Sequence, residues 1–117
     1  MKMETTTLNI VGIVGNKFCV EAEDGQKVFE LTSKALEVER KVVLSFLNVE
    51  LLTTAFLNTA IGQLYKGFDE GTIKKYLSVE HLSPSGAVSL KRVVETAKEY
   101  YRDPEAMQRS INEILGE

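Results

Sequence analysis

The chain has 117 residues with 44% hydrophobic and 26% charged positions, which is typical of a single soluble domain, and we expect one domain over residues 1–117. A net charge of −3 and scattered Lys and Arg residues exclude the basic patch of a nucleic-acid-binding protein, and no apolar run reaches the roughly 18 residues of a membrane span. Because the N-terminus lacks a signal-peptide pattern and the single Cys19 cannot form an internal disulfide, we expect a cytoplasmic protein.

The N-terminal third predicts an antiparallel hairpin followed by a helix, after a polar start (residues 1–7) that is expected to fray. Leu8 to Val14 and Lys17 to Ala22 alternate loosely between two faces, and Gly15 between them favours a tight turn because glycine tolerates positive φ. Asp24 is a candidate helix cap. Apolar residues at helical spacing then predict a surface helix from Gln26 to about Arg40.

The centre of the chain changes from strand periodicity to helix periodicity. Val42 to Phe46 is a short apolar, β-branched run, which is typical of a central strand covered on both faces. Thr53 and Thr54 offer a helix cap, and from Ala55 onward the apolar residues recur at helical spacing as far as Gly67. We therefore predict strand, loop and amphipathic helix in that order.

The C-terminal half predicts a helical turn near Thr72 to Tyr76, a short strand at Leu77 to Val79 and a helix from about Ser85 to Tyr101. Asp103 and Pro104 favour the start of one more helix, whose apolar stripe would be Met107, Ile111, Ile114 and Leu115. The whole pattern predicts an α/β fold with about four strands and about four helices. Its sheet would be mixed, with the N-terminal hairpin antiparallel and the later strands parallel.

No arrangement of residues in the sequence indicates catalysis. The chain has one histidine, His81, and one cysteine, and each lacks a neighbouring motif. A metal site needs several His, Cys or carboxylate ligands at compatible spacing, and none is visible. His81 is most simply a residue at a strand end, and Cys19 a small buried apolar group. We therefore expect no catalytic residue, no metal and no cofactor, and a protein that is not an enzyme.

Thr53 and Thr54 have two interpretations. In the structural one, a hydroxyl at the helix start accepts a hydrogen bond from an unpaired backbone N–H, which is the ordinary role of a threonine cap. In the functional one, either threonine is a phosphoacceptor, and its phosphate would place about −2 charge on a surface that a partner must touch.

The helix after Thr54 carries polar residues on its less apolar face. Most such faces are simply solvated, but short uncharged side chains also suit docking, since they cost little to desolvate. Together with the preceding loop they predict a partner-binding surface. Its residues are Asn48, Glu50, Thr53, Thr54, Asn58, Thr59, Gln63 and Lys66.

Two stretches resemble a known family. The sequence V-V-L-S-F-x-N-V, followed by L-L-T-T-A-F-L-N-T-A-I-G-Q-L-Y, is similar to the STAS-like domain family of unknown function, which is related to bacterial anti-sigma-factor antagonists. The resemblance covers about Phe18 to Tyr101. It implies a STAS-like fold and a regulatory module that binds other proteins.

The resemblance also implies a partner and a switch. In anti-sigma-factor antagonists, a D-S-S-G or D-S-G-L motif at the strand-to-helix junction contains a serine that a GHKL-type ATPase kinase phosphorylates. The matching positions here are Thr53, Thr54, Ala55 and Phe56, so the aspartate, the second serine and the glycine are replaced. Thr54 is the matching phosphoacceptor in one register, and the other register has none.

Three hypotheses follow from the sequence. The first is a non-catalytic STAS-like interaction module that regulates a partner such as a histidine-kinase-like ATPase. The second is a small nucleotide- or ligand-binding protein, because ligands of open α/β sheets lie beyond the carboxyl ends of the strands, where Asn48 to Thr54 falls. The third is a homo-oligomeric scaffold subunit that pairs through an uncovered hairpin edge or through the last helix.

Overall fold

The computed structural model describes residues 5–102 of the chain. The predicted last helix and Asp103-Pro104 lie outside these residues, as does most of the polar N-terminal segment. The strands are β1 (Thr5–Asn9), β2 (Phe18–Cys19), β3 (Lys41–Ser45), β4 (Leu51–Leu52) and β5 (Leu77–Glu80). The helices are α1 (Ile10–Val14), α2 (Ala22–Glu37), α3 (Thr54–Leu57), α4 (Leu64–Gly67), α5 (Glu70–Tyr76) and α6 (Pro84–Arg102), with a π-helical turn (Asn58–Gly62) between α3 and α4.

The larger sheet has three strands in the order β1-β3-β5, and both strand pairs are parallel. Strand β3 lies in the centre, with Leu44 beside Leu8 of β1 and Val79 of β5. Val42 and Leu44 are almost completely buried. The prediction of a central strand at this position is confirmed, because an apolar run without strict alternation fits a strand that is covered by helices on both faces.

The predicted antiparallel hairpin is wrong. Strand β1 ends at Asn9, whose side-chain oxygen accepts a hydrogen bond from the Gly12 backbone N–H at 2.8 Å and so begins α1. Gly15 ends α1 with φ of 79°, and its N–H donates to the Val11 carbonyl at 2.8 Å. Positive φ at a glycine suits a helix end as well as a hairpin turn, so the sequence signal was ambiguous.

The second strand of the predicted hairpin belongs instead to a separate sheet. Strand β2 pairs in parallel with β4, with Phe18 beside Leu51 and Cys19 beside Leu52. All strand pairs among residues 5–102 are therefore parallel, and five strands form two sheets where one mixed sheet of about four was predicted. The hairpin edge through which chains were predicted to pair does not exist.

Helix α2 begins four residues earlier than predicted, and Glu21 occupies the cap position that had been assigned to Asp24. Gly25 therefore lies inside the helix and is buried. A Cβ atom at Gly25 would lie 2.6 Å from the Phe56 carbonyl oxygen and 3.1 Å from the Thr59 Cβ atom. Glycine is required here because α2 packs directly against the backbone of the helix that follows β4.

The helix predicted from Thr54 to Gly67 is present, but it contains the π-helical turn. There the Gln63 N–H donates to the Asn58 carbonyl, five residues back, at 2.9 Å. The buried residues Phe56, Leu57 and Ile61 of this segment join those of β3 in the main core. The helix is therefore a central packing element, with α2 on one side and α6 on another.

The helical turn, short strand and helix predicted between Thr72 and Tyr101 are also present. Asp69 caps α5 by accepting the Thr72 N–H at 2.7 Å, and Ser83 caps α6 by accepting the Gly86 N–H at 3.0 Å. Strand β5 connects these two helices. Among the described residues, no helix is both long and apolar enough to cross a membrane.

Candidate functional site

The corner between β4 and α3 is where the sequence predicts recognition. Hydrogen bonds at both ends of β4 join it to the β2 segment: the Leu51 N–H donates to the Lys17 carbonyl at 3.4 Å, and the Thr53 N–H donates to the Cys19 carbonyl at 3.1 Å. Helix α3 begins at the next residue, Thr54. The two threonines therefore lie side by side where the small sheet meets the central helix.

Thr53 has a structural role. Its hydroxyl donates to the Val20 carbonyl at 2.7 Å and accepts the Phe56 N–H at 3.2 Å, and the residue is half-buried. These two bonds cap the helix and tie it to the chain that leaves β2. A phosphate on this oxygen would remove the donor and disrupt both contacts.

Thr54 differs from its neighbour in both exposure and bonding. It is exposed, and its hydroxyl has no hydrogen-bond partner among residues 5–102. As the first residue of α3, it lies where the backbone changes from strand to helix. Of the two candidate phosphoacceptors, Thr54 is therefore the one with an accessible oxygen that the fold does not use.

The loop before β4 is anchored by its backbone and leaves its side chains exposed. Asn48 is exposed with φ of 67°, a left-handed conformation that asparagine tolerates better than most residues. The Glu50 N–H donates to the Lys17 carbonyl at 2.9 Å, and the Glu50 carboxylate lies 4.0 Å from the Lys17 ammonium. Both side chains of that ion pair are mostly exposed, so water screens it and it contributes little stability.

The remaining predicted site residues do not share one surface. Asn58 and Lys66 are exposed on the helix. Gln63 is half-buried, and its side-chain N–H groups donate to the Gln26 side-chain oxygen of α2 and to the Thr59 carbonyl, both at 2.8 Å. Thr59 is half-buried too and donates to the Ala55 carbonyl at 3.3 Å. The structure brings Asn48, Glu50 and Thr54 to an open corner and turns Thr59 and Gln63 toward α2.

Apolar residues at this corner were missed by the sequence analysis. Phe18 and Leu51, neighbours in the β2–β4 register, are each 50% exposed, and Leu47 is 46% exposed. The available signal was the pair of leucines directly before Thr53, in a stretch too short to alternate. Three exposed large apolar side chains near one corner form the kind of surface that binds other proteins.

A groove of about 580 Å³ adjoins the corner. It lies beyond the carboxyl ends of β3 and β5. Its walls include Leu47, Asn48 and Leu52 on one side and His81, Leu82 and Ser89 on the other. His81 directly follows β5, is exposed and has φ of 59°, so the prediction of a strand-end residue is confirmed.

The nucleophilic side chain that the sequence offers is inaccessible. Cys19 is completely buried, and burial, with a smaller contribution from the negative charge of Asp24, raises the pKa of its thiol. This fits the prediction that Cys19 is a small apolar core residue. The described part of the chain has no group of three or more His, Cys, Asp or Glu residues that could hold a metal ion.

The amino-acid sequence also matches a model of a known protein family. Residues 24–87, more than half of the chain, match the family described as STAS-like domain of unknown function (DUF4325). The chain belongs to this STAS-like family. The matched region runs from the first turn of α2 to the start of α6, and so includes β3, β4, the central helix and most of the groove. The mixed helix and strand composition with parallel sheets is consistent with a STAS-like fold.

Two further comparisons yielded nothing. No curated protein and no solved structure matches the chain significantly. The STAS-like family is therefore the level at which similarity identifies this protein.

Proposed function

We propose that this STAS-like protein is a non-catalytic module that binds a partner protein through the corner between β4 and α3 and thereby regulates it. The observation that carries the proposal is the contrast between the two threonines. Thr53 is fixed in the fold by two hydrogen bonds, while Thr54 is exposed and follows the half-exposed Leu51 by three residues. A corner that is rigid in its backbone and open in its side chains suits recognition, because little ordering is needed on binding.

The proposed partner is a histidine-kinase-like ATPase of the GHKL type, and phosphorylation of Thr54 is the proposed switch. A phosphate would add between −1.5 and −2 charge to the corner at which the half-exposed side chains of Phe18 and Leu51 also lie. A partner surface that covers those side chains would then have to desolvate the phosphate, which is costly without a matching cation. Phosphorylation would therefore release the partner.

The test begins with affinity capture of the full chain from its native cell extract and identification of the bound proteins by mass spectrometry. Titration calorimetry with the captured ATPase would then compare wild type with Thr54→Glu and Thr54→Ala. We expect Thr54→Glu to weaken binding by about tenfold, equivalent to about 1.4 kcal/mol, and Thr54→Ala to leave it nearly unchanged. Equal affinity of Thr54→Glu and wild type, with native circular dichroism retained, would refute the switch.

A second probe measures how far the binding surface extends along the helix. Asn58→Arg places a long charged side chain on an exposed position, whereas Gln63 is occupied by its bond to Gln26. If the partner covers the helix as well as the corner, Asn58→Arg weakens binding. If the partner contacts the corner alone, the affinity stays that of wild type and the surface is limited to the β4–α3 junction.

A second candidate function is the binding of a small molecule such as a nucleotide, and the groove beyond β3 and β5 favours it. Its volume of about 580 Å³ lies within the usual range of ligand pockets, and its position is where open α/β sheets bind ligands. A thermal-shift screen with nucleotides and Mg²⁺ separates the two functions. A ligand that binds the native state must raise the unfolding temperature, and an unchanged temperature favours the interaction module.

A further inference from the structure

Strand β4 has one paired edge and one open edge. The N–H groups of Leu51 and Thr53 point to β2, where they donate to the carbonyls of Lys17 and Cys19. Successive residues of a strand direct their backbone groups to opposite sides, so the N–H and C=O of Leu52, between them, point away from β2. Within the described residues, β4 has β2 as its one neighbour, so its other edge is not paired with a strand.

The open edge of β4 faces the groove. Leu51 and Leu52 line the groove, while Phe18 and Cys19 of β2 do not, so the groove lies on the side of β4 opposite β2. The far wall consists of the loop after β5 and the first turns of α6, including Leu82 and Ser89. The unpaired edge of β4 thus forms one wall of the groove, and the loop after β5 with the first turns of α6 forms the opposite wall.

We propose that this groove binds an extended peptide segment of the partner protein, which pairs with the open edge of β4 as an added strand. The inference rests on the proposed function and specifies its mode of binding. Backbone hydrogen bonds to Leu52 would supply register, as in other cases of strand addition. Leu47 and Leu51, about half exposed at the rim, would contact alternate side chains of the peptide, since a strand directs every second side chain to one face.

The charge of the groove restricts the peptide further. Glu50 lines the groove, and no Lys or Arg is among its described lining residues. The Glu50 carboxylate lies 4.0 Å from the exposed Lys17 ammonium, and this exposed pair is weak because water screens it. The favoured ligand is therefore an extended segment with apolar residues at alternate positions and a Lys or Arg at the end that reaches Glu50, and an acidic segment is disfavoured.

The experiment uses a phage-displayed library of random dodecapeptides, selected on the immobilised full chain. The enriched sequence is synthesised and each backbone N–H is replaced in turn by N-methyl. Strand addition predicts a loss of about tenfold in affinity at one position and less than about twofold at the others, because the open edge of β4 offers one carbonyl, that of Leu52, to a peptide N–H. A uniform response, losses at three- and four-residue spacing, or failure to enrich any peptide would overturn the proposal.

Matched protein variants locate the site. Leu47→Asp and Leu51→Asp each introduce a charge at the rim and should weaken the peptide about tenfold, while Leu31→Asp, at a 42% exposed position on α2, should have no effect. Loss of binding in Leu31→Asp, or wild-type affinity in both rim variants, would place the peptide elsewhere. Light scattering adds a further check: dimers that exclude the peptide would assign the edge to a second copy of the chain and overturn the proposal.

The outcome is independent of the regulatory switch. If Thr54→Glu weakens binding of the ATPase but the N-methyl scan finds no single sensitive position, the interaction module stands and strand addition fails. If the scan finds one sensitive position but Thr54→Glu has no effect on binding of the partner, peptide binding in the groove is supported and the switch is refuted.

Discussion

The two sheets of this protein are both parallel, yet they differ in almost every other respect. Strand β3 of the larger sheet spans five residues and buries Val42 and Leu44 almost completely. The smaller sheet has two residues in each strand and leaves Phe18 and Leu51 half exposed. The larger sheet buries the side chains of its central strand, whereas the smaller one contributes Cys19 to the core and is otherwise held by a few backbone bonds and by Thr53. In the function that we propose, the exposed apolar surface of the smaller sheet contacts the partner.

The largest expected difference between the two sheets comes from replacing one leucine in each sheet by alanine. Leu44→Ala removes a completely buried side chain and should lower the free energy of unfolding by about 3 kcal/mol, within the range of about 2–5 for such changes. Leu51→Ala, at a 50% exposed position, should cost less than about 1 kcal/mol. Urea denaturation followed by circular dichroism measures both. Similar losses from the two variants would mean that the Leu51 side chain contributes to stability as much as the Leu44 side chain does.

A second test concerns the contact between α2 and the helical segment that follows the smaller sheet, residues 54–67. Gly25→Ala would place a Cβ atom 2.6 Å from the Phe56 carbonyl oxygen, so the helices must separate. We expect a loss of about 2 kcal/mol, typical of overpacking. Gly67→Ala is the matched control, because no heavy atom lies within 4 Å of the added Cβ there, and it should be neutral or slightly stabilising. Equal unfolding midpoints for the two variants would show that the close approach is not required.

The third test separates the two threonines. Thr53→Ala removes a helix cap and the bond to the Val20 carbonyl, and it should cost about 1 kcal/mol, within the 0.5–2 kcal/mol seen for such caps. Thr54→Ala removes a hydroxyl without a partner among the described residues, and we expect a change below about 0.5 kcal/mol. Thermal unfolding of both variants is sufficient. A larger loss from Thr54→Ala would indicate that its hydroxyl serves the fold and is not kept for a partner.

The sequence predicted the elements whose signal is local and strong. The β-branched run at Val42 to Phe46 and the helical periodicity after Ala55 each extend over several residues, so the central strand and helix followed directly. The N-terminal hairpin failed because one glycine was consistent with two structures. Gly15 at positive φ suits a hairpin turn as well as a helix end, and the capping oxygen of Asn9, which decides between them, was overlooked.

The candidate site was only partly predictable, for a physical reason. Exposure of Thr54 and burial of the Thr53 hydroxyl depend on where β2 lies, and the pairing of two-residue strands is fixed by tertiary contacts. The close approach of α2 at Gly25 likewise turns Thr59 and Gln63 away from solvent, although their polarity suggested an open face. The groove required the relative positions of β4, β5 and α6, which no local pattern encodes.

The last prediction uses Cys19 to ask whether the small sheet opens by itself. The thiol is completely buried, and its raised pKa keeps it protonated at neutral pH, so a thiol reagent such as DTNB should label it slowly. If the two-stranded sheet opens locally, Thr53→Ala should accelerate labelling by about fivefold, the equivalent of about 1 kcal/mol, while Leu51→Ala should have little effect. The contrary outcome is that labelling follows global stability alone. Leu44→Ala would then accelerate labelling in proportion to its loss of stability, and Thr53→Ala would accelerate it no more than its own loss of stability predicts. That result would show that both sheets open together. The larger and the smaller sheet would then differ in the exposure of their side chains but not in how readily they open.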